Sequence, residues 1–189
     1  EVIADPSTLT TLPRRELASG IAECVKHAFI DGEEHLRWLE THVERILHRD
    51  AGGTSVPVDG AAFAELVARS VAVKARIVTE DPREQGIRAV LNFGHTFGHG
   101  LETLPGIDLT HGEAVAIGMV AACTAGEAAK GLAPEVSARL RSLLQRVGLP
   151  VRIPERGARV VSVADVVRRM GFDKKVEEGQ VRFVIPSRI

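Results

Sequence analysis

Apolar residues recur along this chain at helical spacing. Leu17, Ile21, Val25 and Ala28 fall three and four residues apart, as on one stripe of a helix spanning 13–30. Pro13 stands where a first helical turn tolerates proline, after a Ser/Thr-rich run over 7–12. Asp31-Gly32 breaks the pattern. A second stripe, Leu36, Leu39, Val43 and Leu47, predicts a helix over 33–49. The glycines, proline and aspartates of 50–60 predict a loop. Helices are predicted over 61–79, 86–104, 111–130, 137–147 and 163–170. Strand-like alternation is confined to the two ends, at 2–4 and 181–186. The pattern predicts a mainly α domain over 1–189, with a few short strands at its ends and no repeat or internal boundary. Because both ends read as strand phrases, the chain is expected to be part of a longer protein.

Composition narrows the function. A net charge of −1 gives no electrostatic case for a nucleic-acid or anionic-membrane partner. No apolar run nears the roughly 20 residues of a membrane span, and residues 1–6 lack the basic start of a signal peptide. Tyrosine is absent and Trp38 is the only tryptophan, so there is no aromatic platform for bases. Cys24 and Cys123 lie far apart in apolar helical surroundings. They read as buried small hydrophobes, and a reducing cytoplasmic setting is the expectation.

The chemistry concentrates in Arg88-Ala-Val-Leu-Asn92-Phe-Gly-His95-Thr-Phe-Gly-His99. If 86–104 is one helix, Arg88, Asn92, His95 and His99 share a face. Buried unpaired, these groups would be costly, so the face reads as a site rather than a core. Gly94, Gly98 and Gly100 each weaken a helix by about 0.5–1 kcal/mol relative to alanine, so they imply close approach of a backbone or ligand. By spacing alone, His95 and His99 form a His-x-x-x-His pair, and His111 could add a third imidazole to a metal. A zinc-protease reading fails because Thr96, not glutamate, follows His95. Glu23 and Lys26, three apart, are either a surface ion pair or a metal-ligating carboxylate with a lysine beside it. Lys74 amid apolar neighbours reads as a snorkelling lysine. Lys174 and Lys175 after Asp173 are solvated, or grip a phosphate. His27, His35, His42 and His48 read as surface or packing residues.

Taken together, Leu12-Pro13 to Lys26, Lys74 to Asp81, Arg88 to Glu102, His111-Gly112-Glu113 to Met119 and Asp173-Lys174-Lys175 resemble the 3-dehydroquinate synthase family of sugar phosphate cyclases. The resemblance implies a two-domain enzyme. An N-terminal α/β domain binds NAD, and a C-terminal helical domain, this chain, binds metal and substrate. No glycine-rich nucleotide loop occurs here, in keeping with that division. The implied activity is an NAD- and metal-dependent, phosphate-eliminating cyclisation of 3-deoxy-D-arabino-heptulosonate 7-phosphate to 3-dehydroquinate, in the shikimate route to aromatic amino acids. The metal is zinc or cobalt, and the intact enzyme is a homodimer. The resemblance makes Glu23, His95 and His111 the metal ligands, which replaces the three-imidazole expectation. His99 becomes a catalytic, phosphate-side residue. Lys26, Lys74, Arg88 and Asn92 hold substrate, with Arg88 suited to its carboxylate, and Lys174 or Lys175 binds phosphate. The chain alone is expected to bind no NAD and turn nothing over. The rivals are a cyclase acting on another sugar phosphate, a metal- and NAD-dependent alcohol dehydrogenase, and a non-catalytic helical domain. The unchanged site residues argue against the last.

Overall fold

The computed structural model describes residues 3–49, 55–56, 60–154, 163–170 and 182–189. Its helices are α1 (Arg14–Asp31), α2 (Glu33–Ile46), α3 (Gly60–Glu80), α4 (His95–Glu102), α5 (His111–Lys130), α6 (Pro134–Val147) and α7 (Val163–Met170). Short 3-10 segments cover Pro6–Thr11 and Ile87–Asn92. The predicted mainly helical class is what the chain adopts.

Two features differ from expectation. Residues 86–104 are not one helix. The 3-10 segment ends at Asn92, Gly94 takes φ +80°, and α4 starts afresh at His95. The break has a packing cause: Phe93 turns inward, 3% exposed, and stacks on Phe29 of α1 with ring centroids 5.1 Å apart. Strands also fall elsewhere. Among the described residues the one strand pair joins β1 (His48–Arg49) to β2 (Ser55–Val56), antiparallel, where α2 stops three residues short of its predicted end. The C-terminal alternation forms no described ladder. Its Phe183 instead packs on Phe97, centroids 5.0 Å apart, and the Arg182 carbonyl accepts a hydrogen bond from the Thr96 hydroxyl.

The main core lies among α1, α2, α3, α5 and α6, around Val25, Leu36, Leu39, Leu66, Met119, Leu140 and Leu144. A second apolar cluster joins α4, α5 and α7 through Leu101, Ala114, Ile117, Val166 and Met170. α5 serves both, which explains its small residues. The predicted close approach is met at α4 and α5. A Cβ at Gly98 would sit 3.2 Å from the Ala114 and Val115 backbone, and one at Gly118 would run into the Gly94 carbonyl. The helices that carry the site histidines are thus locked backbone to backbone.

Candidate metal centre and anion pocket

α1 places Glu23 and Lys26 on one face. The pair is no surface bridge: Lys26 is 3% exposed, and its Nζ lies 2.5 Å from Glu23 Oε2. The other carboxylate oxygen, Oε1, is buried with no hydrogen-bond partner among the described residues. Two imidazole nitrogens face it, His95 Nε2 at 3.5 Å and His111 Nε2 at 3.6 Å. Those separations are long for hydrogen bonds. They match the edge of a tetrahedron whose centre lies about 2.0–2.1 Å from each donor, as around zinc. An orphaned buried carboxylate oxygen is costly unless a cation satisfies it. One glutamate and two imidazoles also suit zinc or cobalt, and leave a coordination position open.

Both rings are oriented by what meets Nδ1. His95 Nδ1 faces the Phe93 carbonyl at 3.3 Å, and His111 Nδ1 faces a Glu102 carboxylate oxygen at 3.1 Å. Oxygens of these kinds only accept, so each Nδ1 carries a proton, the tautomer that in a neutral ring leaves the lone pair on Nε2. Burial, and then the Lys26 charge, push the His95 pKa down to about 4, so the ring is neutral at pH 7. Burial alone would raise the Glu23 carboxyl. The Lys26 charge and hydrogen bond outweigh it and hold the group below the ordinary carboxylate value. Glutamate ionised and imidazole neutral is the state a metal requires.

The start of α5 is fixed by its own sequence. Thr110 and Glu113 form a capping box: the Thr110 hydroxyl accepts from the Glu113 amide at 3.3 Å, and the Glu113 carboxylate accepts from the Thr110 amide at 2.8 Å. Arg15 of α1 clasps the same carboxylate at 3.0 and 2.7 Å and reaches Asp108 as well. The Gly112 amide donates to Ser19 Oγ at 2.9 Å, and a Cβ at Gly112 would strike the Ser19 backbone. In His-Gly-Glu, then, the first residue faces the site, the second lets α1 close in, and the third caps the helix.

Beside the Glu23–His95 edge lies a cavity of about 250 Å³. Lys26, Lys74, Arg88 and Asn92 line it, three cations and an amide from α1, α3 and the 3-10 segment. The expected sharing of one helix face is wrong for Arg88 and Asn92, because a 3-10 segment and the Gly94 turn intervene. The cavity brings them to His95 all the same. The loop that carries Arg88 is held by Asp81, whose carboxylate accepts from the amides of Gln85, Gly86 and Arg88 at 3.0, 2.7 and 3.1 Å. His99 lies one turn after His95. Its ring centroid is 5.5 Å from that of His95 and 6.2 Å from that of His111.

Three potential ligand atoms lie within 4.8 Å of one another in two groups among the described residues: Glu23–His95–His111 and His99–Glu102–His111. The three imidazoles alone, the expectation from spacing, are neither. Lys174 and Lys175 lie outside the described residues.

Sequence reasoning missed several lining or bracing residues. His27, read as packing, is 6% exposed, pairs through Nδ1 with Ser70 Oγ at 2.6 Å, and lines the cavity. Glu84 lines it too, at φ +57°, and accepts from Asn92 Nδ2 at 2.8 Å. Nothing in its local pattern marked it. Thr-x-x-Glu at 110–113 did carry a capping signal. His35 and His42 are packing residues as expected, paired with Asp31 and the Trp38 carbonyl. The His48 side chain lies outside what is described. Both cysteines are free thiols, pushed up by burial to about 11 for Cys24 and about 12 for Cys123. No helix among the described residues is long and apolar enough to cross a membrane.

Comparisons with known proteins bear on this geometry. The family described as 3-dehydroquinate synthase C-terminal matches residues 20–176. A 3-dehydroquinate synthase of Symbiobacterium thermophilum is 44% identical over 189 residues, 99% of this chain and 49% of the relative. That of Azotobacter vinelandii is also 44% identical, over 100% of this chain and 48% of its own length. The chain spans about half the length of the curated relatives it matches. Among solved structures, 2-epi-5-epi-valiolone synthase of Streptomyces hygroscopicus subsp. jinggangensis, determined with NAD+ and Zn2+ bound, shares the fold. Its TM-score is 0.79 at 24% identity, over 97% of this chain and 48% of that one. This chain therefore belongs to the 3-dehydroquinate synthase family and corresponds to its C-terminal domain.

Proposed function

We propose that this chain is the metal- and substrate-binding domain of a 3-dehydroquinate synthase, which converts 3-deoxy-D-arabino-heptulosonate 7-phosphate to 3-dehydroquinate and phosphate. The observation that carries the reading is the buried Glu23 Oε1, without a hydrogen-bond partner among the described residues, facing two imidazole nitrogens next to a cavity lined by three cations. Glu23, His95 and His111 would hold a zinc or cobalt ion. Such an ion lowers the pKa of hydroxyls bound to it and orients them. NAD, the hydride carrier, would be held mainly by a preceding domain, and residues 1–189 would form the helical domain alone. The NAD+ and Zn2+ bound by the valiolone synthase support the choice of these two cofactors.

The chain's own groups then bind and orient one small polyanion. Arg88 offers a planar fork to the carboxylate, which a bidentate pair recognises best. Lys26, already fixed against Glu23, lies where hydroxyls near the metal would receive its hydrogen bonds. Lys74 and Asn92 fix the remaining oxygens, and Lys174 or Lys175 takes the phosphate as a point charge. His99, outside the ligand set, is the group left to move a proton on the phosphate side, a task that suits an imidazole. Positioning and charge stabilisation carry most of this catalysis. Homodimerisation and a cytoplasmic location are part of the same reading.

The rival is a cyclase acting on a sugar phosphate that lacks the carboxylate. The Arg88 fork that lines the cavity favours the carboxylate-bearing heptulosonate. The test is phosphate release by the intact protein with NAD and zinc, from the heptulosonate phosphate and from a carboxylate-free sugar phosphate. Release from the first alone is expected. Release from the second alone would transfer the function to the rival, and release from neither would refute both.

A further inference from the structure

Glu102 is neither a metal ligand nor a substrate-binding group in the proposed function, yet its position is specific. It is the last residue of α4, seven residues after His95, and so two turns along the same face. One carboxylate oxygen meets His111 Nδ1 at 3.1 Å, on the ring edge away from Glu23. His111 needs such a brace. Its side chain is 47% exposed, against 31% for Glu23 and 15% for His95, so packing alone holds it least. His95 has an equivalent brace in the Phe93 carbonyl.

We propose that Glu102 is a positioning residue for the metal centre: by accepting the Nδ1–H of His111, its carboxylate fixes the ring so that Nε2 points to the ion. This rests on the assignment of Glu23, His95 and His111 as ligands. A carboxylate cannot donate, so the contact sets the tautomer as well as the rotation of the ring. Partners of this kind on metal-bound imidazoles each contribute about 10–100-fold in metal affinity. The competing role is direct ligation, since Glu102 also groups with His99 and His111 within 4.8 Å. That role would require His111 to offer the nitrogen turned away from Glu23.

The test uses the intact protein, with zinc affinity measured by chelator competition and the visible absorption of the cobalt-substituted form. Glu102→Ala should weaken zinc binding about 10–100-fold and alter the cobalt bands. Glu102→Gln keeps an acceptor oxygen and should restore affinity to within a few-fold of the parent. Parental affinity and spectrum in Glu102→Ala would overturn the proposal. So would a Glu102→Gln as weak as the alanine variant, which would make the carboxylate a ligand. His111→Ala separates the two levels. It should lose zinc outright, and retention there would refute the ligand assignment itself.

Discussion

Gly94 joins two demands that are usually separate, and replacing it with alanine tests both. At φ +80° its backbone is left-handed, a state that costs other residues about 1–2 kcal/mol. A Cβ there would also sit 2.6 Å from Met119 Cγ, 2.8 Å from the Met119 amide nitrogen and 2.9 Å from the Val115 carbonyl oxygen. Two of those atoms are backbone of α5 and cannot swing aside. Overpacking of this kind costs about 1–3 kcal/mol, so Gly94→Ala should lose about 2–5 kcal/mol in all. Relief requires α4 to move off α5, and His95 is the next residue. Zinc affinity should therefore fall together with stability. Two further variants divide the cost. Gly106→Ala has φ +83° and nothing within 4 Å of the added Cβ, so it should show only the strain, about 1–2 kcal/mol. Gly98→Ala has no left-handed backbone and a Cβ 3.2 Å from α5 backbone, so it should show only the crowding and a smaller loss of zinc. Urea unfolding with chelator-competition zinc titration measures both effects. A Gly94→Ala that unfolds within about 0.5 kcal/mol of the parent, or costs no more than Gly106→Ala, would refute the reasoning.

Three other perturbations have defined outcomes. His27 is pushed down to about 4 by burial first and then by the Lys26 charge, while an unfolded histidine titrates near 6.5. The unfolded state thus binds more protons in that window. Stability is complete above about pH 6.5, and falls by up to about 3 kcal/mol as pH drops towards 4. Urea unfolding of the metal-free protein should show this slope reduced in His27→Gln, and parallel pH curves would count against it. Glu113→Ala removes the acceptor that closes the α5 capping box on the Thr110 amide, together with the Arg15 clasp. Because Arg15 is 39% exposed, the cap dominates, at about 1 kcal/mol. Thermal unfolding reads that loss, and an unchanged midpoint would dismiss the cap as a brace for His111. Arg88→Lys should lower kcat/KM for the carboxylate-bearing substrate about 10–100-fold, by losing one charged hydrogen bond of a bidentate pair. Steady-state kinetics check it, and a change below two-fold would move the carboxylate away from Arg88.

The helices were legible because burial follows their periodicity. Leu17, Ile21, Val25, Leu36, Leu39 and Val43 are all buried as their spacing required. What spacing could not show was the break at Gly94, because the reason lies in Phe93 reaching a phenylalanine 64 residues earlier and in the backbone of α5. The same limit governed the site. Within one helix, His95 and His99 look like a ligand pair. Only the packing of α1 and α4 against the same helix, α5, brings Glu23 between His95 and His111, and in the sequence that pairing shows solely through family resemblance. The Glu23–Lys26 pair looked superficial because a three-residue spacing carries no information about depth. His27 and Glu84 escaped notice for a similar reason, since the groups they meet are distant in sequence.

In the proposed site Glu23, His95 and His111 hold the ion and His99 does not. Metal analysis of the intact protein carrying His95→Ala or His99→Ala tests this assignment most directly. His95→Ala should be purified without bound zinc, whereas His99→Ala should keep a full complement and lose turnover. Zinc retained in both variants, or lost from His99→Ala alone, would contradict it.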